Sequence, residues 1–334
     1  MKIFPYLMTF FIFNSFFYAT NYFVAVSYGN DTNNGLSINA PFKTIGKAAS
    51  VMSSGDICYI RQGRYHETIS IDNLDGTSSA PVIFTNYNDE RVVIDGTIPI
   101  TSTWTQIGSS NLWRTKLTQD IWQLFISWEE QLMARWPNAK FSDGTIWDND
   151  NHWAKGTIDD DENAYSNGSI IDDPYTNSAG TLISLSSAGF DLDETNKQAI
   201  AILNLGSFRT WSRIVTSHSG GTFNYATVPS WKTKHHYYYL EGRKEFLDQE
   251  GEWWYDTYNN ADSLYYYAAN GVNPNRLDFR GKVQSYAFSI TGSQYVQIKN
   301  LEFFATTVYF SNGEDRKSTR LNSSHLVISY AVFC

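Results

Sequence analysis

The sequence predicts an all-β chain in which a solenoid of short strands is interrupted by a separately packed β domain. Three observations predict it. From Phe23 to Gly96, short β-rich runs alternate with turns of Gly, Asn, Asp and Ser. The same pattern returns over Tyr286–Thr307. Between these flanks the composition changes: all 11 Trp residues of the chain lie from Trp104 to Trp254.

Taken in order, residues 1–20 read as a secretory signal peptide. Lys2 precedes a short run of Phe, Ile, Leu and Met, and polar interruptions make it a poor membrane span. Ala19 suits the last position before cleavage, although Phe17 is large where a small residue is usual. The expectation is a secreted protein, extracellular or periplasmic, with no membrane association after cleavage.

Residues 21–100 hold the cap and the first solenoid rungs. After the turn GNDTNNG, Pro41 starts an amphipathic segment with Phe42, Ile45, Ala48, Ala49 and Met52 on one face. The spacing predicts a helix over Pro41–Met52. A solenoid rung buries its apolar face only against the next rung, so the first rung needs such a cap. Strands are predicted over Ile57–Arg61, Thr68–Ile71, Val82–Tyr87 and Val92–Asp95. Residues 101–280 form the Trp-rich domain, long enough for a core of its own. Residues 281–314 resume the rungs at Ala287–Ile290, Val296–Ile298 and Leu301–Phe303. Asn300 is placed for a left-handed bend, which Asn tolerates.

The order of parts over Phe23–Gly96 resembles the N-terminal start of secreted right-handed parallel β-helix proteins that act on polysaccharides. In the middle, NLWRTKL, QLFISWEEQLMARWPN, YYYLEGRKEFLDQEGEWWYD and SLYYYAANG resemble blocks of β-helix glycoside hydrolases with an inserted β-sandwich. The β-helix β-xylosidase family has this layout. The resemblance spans roughly Asn111–Asn138 and His235–Gly271. It implies a pectate-lyase-like right-handed parallel β-helix with an N-terminal capping helix and an inserted β-sandwich-like domain. It also implies a polysaccharide or oligosaccharide partner, and catalytic acids on rungs beyond the insert.

Residues 315–334 stand apart. DRKSTRLNSSH and ISYAVFC resemble the translation of a common short-read sequencing adapter. The competing reading is a genuine C-terminal strand, since LVISYAVF has strand-like content. On the adapter reading natural sequence stops near Glu314, the solenoid is truncated, and the chain is an inactive N-terminal fragment of a glycoside hydrolase.

Composition narrows the partners. The net charge is −9; without Asp315, Arg316, Lys317 and Arg320 it is −11, and without Lys2 it is −12. Such a chain is a poor binder of nucleic acid. Cys58, in the alternating run ICYIR, reads as a small core residue.

Glycoside hydrolysis needs two carboxylates flanking the bond, about 5–5.5 Å apart for retention. Equivalent positions on adjacent rungs, about 4.8 Å apart, supply that separation. Glu302 is the one candidate in the resumed rungs, pointing opposite to Leu301 and Phe303; the alternative is a solvated strand carboxylate. Arg135 and Trp136 could offer a guanidinium and an indole platform to a sugar; the alternative is packing.

No cofactor or bound metal is expected, with calcium as the alternative at Asp148, Asp150 and His152, at Asp159–Glu162, or at Asp31. Two rival functions stay open. A polysaccharide lyase would show a basic residue beside a calcium cluster. A non-catalytic glycan-binding or surface protein would show neither that nor paired carboxylates.

Overall fold

The computed structural model describes residues 19–157, 168–194, 198–206, 210–228, 236–256 and 262–312. The expected leader, apart from Ala19 and Thr20, and the adapter-like tail lie outside the described residues. The chain divides into two compact units, Met1–Thr97 with Gln284–Cys334, and Ile98–Val283. It is nearly all β. Among the described residues the α-helices are two short ones, Ile45–Ala49 and Leu185–Ala188.

The first unit is built from three parallel sheets. The first joins Asn21–Val24, Ile57–Ile60, Val82–Asn86 and Val296–Lys299. The second joins Gly63–Tyr65, Val92–Asp95 and Glu302–Phe304. The third joins Ile69–Asp72, Tyr286–Thr291 and Thr307–Ser311. From Ile57 onward the chain visits first, second and third sheets in that fixed order. It leaves after Val92–Asp95 in the second sheet and returns in the third at Tyr286. Alternation sends Cys58, Ile60, Tyr65, Ile69, Ile71, Phe84, Ile94, Phe288 and Ile290 inward to one core. Corners fall on left-handed residues, among them Asn73, Asn300 and Ala305, with φ of 53°, 53° and 51°.

The helix is shorter than the span Pro41–Met52 that spacing predicts. Phe42 forms a parallel bridge with Val24, which holds it extended. Thr44, with φ −113° and ψ 146°, is the N-cap, and its hydroxyl accepts from the Lys47 N–H at 3.1 Å. Backbone pairing therefore consumes the first turn that Pro41 would have started. The apolar face survives the shortening: Phe42, Ile45, Ala48, Ala49 and Met52 are all buried in the core. Asp31 belongs to the same local design. Its Oδ1 accepts from the N–H groups of Lys43 and Thr44 at 2.7 and 2.9 Å, and its Oδ2 from the Thr44 hydroxyl at 2.9 Å.

The second unit holds an eight-stranded and a seven-stranded sheet, largely antiparallel. Adjacent aromatic residues face opposite ways. Trp254 and Tyr265 are register partners and pack with Leu203, Tyr238 and Leu240 of the seven-stranded sheet. Trp253 and Tyr266, the next pair, pack on the other side with Trp104, Leu124 and Phe279. A strand buried on both faces suits large aromatic residues at successive positions, which accounts for Trp253 and Trp254 side by side.

Candidate functional site

Glu302 lies on the outward face of the second parallel sheet. Its register partner is Val93, which in turn pairs with Arg64. The Glu302 carboxylate takes three hydrogen bonds at 2.9–3.1 Å from Arg91, and both side chains are exposed, at 47% and 63%. Two register positions along the strand, opposite Phe304, Asp95 is fully buried. Its Oδ2 meets Arg64 Nε at 3.0 Å, and its Oδ1 accepts from the Thr97 N–H and hydroxyl at 2.8 and 2.6 Å. These contacts fix the chain where it leaves the second parallel sheet. Among the described residues of the parallel sheets, no two carboxylates are register partners. The retaining geometry is not assembled there.

Arg135 and Trp136 occupy a short strand in the second unit, antiparallel to Tyr237–Glu241. Arg135 is 1% exposed. Its Nε donates to the Pro137 carbonyl at 2.9 Å and its Nη2 to the His152 carbonyl at 2.8 Å. The guanidinium lies 3.7 Å from the centre of the Tyr239 ring and 5.8 Å from that of Trp153. Trp136 is half-buried on the opposite face, edge-on to Phe190 at 5.8 Å and tilted on Tyr238 at 6.4 Å. Both side chains are thus held by protein groups.

Two carboxyls flank Arg135. Glu241 is its register partner, so both share the face that carries Tyr239. Glu252 is 1% exposed and accepts from the N–H groups of Gln249, Asp248 and Arg135 at 3.1, 3.2 and 3.5 Å. Burial pushes the Glu252 carboxyl up to about 8, against the pull of those N–H groups. Burial also pushes Glu241 up to about 7, with Arg135 opposing. Burial pulls Arg135 down to about 10, and Tyr239, Glu241 and Glu252 oppose the shift. By surface area Glu241 remains partly open to solvent. Alternation in YYYLEG, with Tyr239 and Glu241 opposite Tyr238 and Leu240, is the signal that would have found it.

The Asp148–His152 cluster forms a turn. Asp148 Oδ1 accepts from the N–H groups of Asp150 and Asn151, both at 3.1 Å, and Oδ2 from the Asn151 amide at 2.9 Å. His152 Nδ1 sits 2.9 Å from the Asn138 carbonyl oxygen. Asp159–Glu162 lie outside the described residues. Among the described residues no group of three or more metal-ligating side chains converges. Cys58 is fully buried, and burial raises its thiol far above the usual range.

Comparison with known proteins sets this geometry in context. A solved glycoside hydrolase superposes with a TM-score of 0.61 over 86% of this chain and 51% of its own, at 17% identity. That likeness shows the fold: the chain is built as about half of that protein is built. A second solved structure, XylC in complex with xylose, matches with a TM-score of 0.41 at 19% identity, over 86% of this chain and 36% of its own. A curated relative, the uncharacterized protein YwoF of Bacillus subtilis (strain 168), is 40% identical over 68 residues, 20% of this chain and 14% of the relative. No family model matches the chain.

Proposed function

We propose that this chain is the N-terminal part of a secreted, carbohydrate-active right-handed parallel β-helix protein whose full-length form is a glycoside hydrolase. The observation that carries the reading is the fixed visiting order of three parallel sheets around one core, interrupted by a β-rich insert. Stacked rungs present outward side chains in columns about 4.8 Å apart. That is the spacing two carboxylates need to protonate a leaving oxygen and to attack the anomeric carbon.

The likeness to a solved glycoside hydrolase, of which the chain spans about half, supports the fold side of the reading. The unpaired state of Glu302 with respect to other carboxylates supports placing the catalytic pair on rungs outside this chain. The chain itself is then inactive, with a polysaccharide or oligosaccharide as its partner. Residues 315–334 play no part in the reading.

The test compares this chain with the full-length protein on xylan, fucosylated glycan, pectin and alginate. New reducing ends are measured together with ultraviolet absorbance of unsaturated products. The reading expects reducing ends without absorbance from the full-length protein, and neither from this chain. Absorbing products would replace hydrolysis by elimination. Turnover by this chain that Glu302→Gln abolishes would move the chemistry into these rungs.

A further inference from the structure

The outward face of the first parallel sheet carries aromatic rings that the core does not use. Phe23, Tyr59, Thr85 and Lys299 are successive register partners along it. Phe23 and Tyr59 stack with centroids 5.8 Å apart at 26°. Tyr87, which follows the strand Val82–Asn86, meets both rings edge-on at 5.9 and 6.0 Å. All three are half-buried, and none belongs to the hydrophobic core of the unit or packs against it. Tyr28 beside them is 50% exposed.

One ion pair holds the rings of Tyr87 and Tyr28. Arg61 lies 5.3 Å over the Tyr87 ring and 5.9 Å over the Tyr28 ring, and its Nη1 donates to the Tyr28 hydroxyl at 2.7 Å. Its Nε donates to both carboxylate oxygens of Glu90, at 2.9 and 2.8 Å. Glu90 also accepts from the Gln62 N–H at 2.6 Å.

We propose that this face, formed by Phe23, Tyr59, Tyr87 and Tyr28 with the Arg61–Glu90 pair, is a binding platform for a neutral glycan chain. The proposal rests on the carbohydrate-acting reading and extends it to a non-catalytic site. Aromatic rings accept the apolar C–H faces of sugars, while phenol hydroxyls and a planar ion pair at the edge hydrogen-bond to sugar hydroxyls. The rings run across successive rungs, so an extended chain lies along the stack. Their fixed orientation removes part of the ordering cost of binding.

Charge chooses the class of glycan. Arg61 is matched by Glu90, Lys299 stands beyond Thr85 at the far end of the column, and the chain as a whole carries −9. A polyuronate gains little from such a surface.

Affinity electrophoresis of the full chain tests this, in gels containing soluble arabinoxylan, galactomannan or polygalacturonate. The expected result is retardation by a neutral polysaccharide, weakened about tenfold by Tyr59→Ala and by Tyr87→Ala, and kept by Tyr59→Phe. Thermal melting of each variant confirms that it is folded. Unchanged retardation of folded alanine variants overturns the platform while leaving the carbohydrate reading intact. Retardation by polygalacturonate alone, or by none of the three, also overturns it. So does a concentration-dependent dimer that Tyr59→Ala dissociates without changing retardation, because the occupant is then a second copy. Failure of the carbohydrate reading is seen separately, as absence of product from the full-length protein.

Discussion

Glu67 closes the N-terminal end of the helix Ile45–Ala49: its two carboxylate oxygens accept from the backbone N–H groups of Ile45 and Gly46, each at 2.9 Å. Orphan N–H groups at a helix start need such acceptors, and the helix dipole favours negative charge there. Glu67 sits between the strands Gly63–Tyr65 and Ile69–Asp72, so the contact ties the helix to the second and third parallel sheets. Glu67→Ala is expected to destabilise the protein by about 1–2 kcal/mol, with Glu67→Gln costing less. Urea denaturation followed by circular dichroism measures this, and an unchanged midpoint for Glu67→Ala would show that the cap is dispensable.

The parallel register predicts a specific cross-link. Ser70 and Ser289 are outward register partners although 219 positions separate them in sequence. Parallel neighbours lie at about 4.8 Å, inside the roughly 4.4–6.8 Å range of Cα separations that a disulfide spans. Oxidation of the double variant Ser70→Cys with Ser289→Cys should therefore join two peptides detectable by mass spectrometry after digestion. The same register sets Ile71 opposite Ile290 and Asp72 opposite Thr291. Failure of the folded double variant to cross-link would refute it.

The carboxyls beside Arg135 set a pH dependence. Folding raises Glu241 to about 7 and Glu252 to about 8 from an ordinary value of 4.5. The folded chain thus keeps protons that the unfolded chain has already lost. Stability falls as pH rises across the window from 4.5 to about 8. Thermal melting should give a higher midpoint near the bottom of that window than near its top, and Glu252→Gln should flatten the slope. A midpoint that rises with pH would contradict the assignment.

Arg135 is expected to matter for folding. Removing the buried guanidinium leaves the Pro137 and His152 carbonyls without their side-chain donors and takes the cation off the Tyr239 ring, so Arg135→Ala should cost about 3 kcal/mol. Arg135→Lys keeps the charge but cannot reach both carbonyls while stacking on Tyr239, and should fall between. Urea midpoints rank the three proteins. A fully stable Arg135→Ala protein that has lost polysaccharide retardation would instead assign Arg135 to ligand binding.

Much of the first unit was legible because its signals are local. The apolar face of Phe42, Ile45, Ala48, Ala49 and Met52, the strand Val92–Asp95 and the bend at Asn300 all follow from side chains a few positions apart. The helix boundary was not legible, because the Val24–Phe42 bridge that displaces it joins residues far apart in sequence. The strand Gly63–Tyr65 has three residues, with Gly and Arg in the first two, too short for alternation to show.

The same holds at the candidate sites. Glu302 was readable as outward-facing, but its partner Arg91 lies 211 positions away and is brought near only by the parallel register. Residue type is what marks Arg135 and Trp136 in the sequence. Residue type alone does not tell a guanidinium offered to solvent from one enclosed by Tyr239, Pro137 and His152. Alternation in YYYLEG gives the face of Glu241, but that it lies opposite Arg135 follows only from the strand pairing.

The most direct test of the central claim is to let the full-length protein act on polysaccharide in oxygen-18 water and weigh the products. Hydrolysis places one solvent oxygen on the anomeric carbon and a proton on the leaving oxygen of each broken bond, so saturated oligosaccharides are expected, with one heavy oxygen at every new reducing end and none on the fragment that keeps the old linkage oxygen. Unsaturated products free of the heavy isotope, or no product from any glycan, would contradict it.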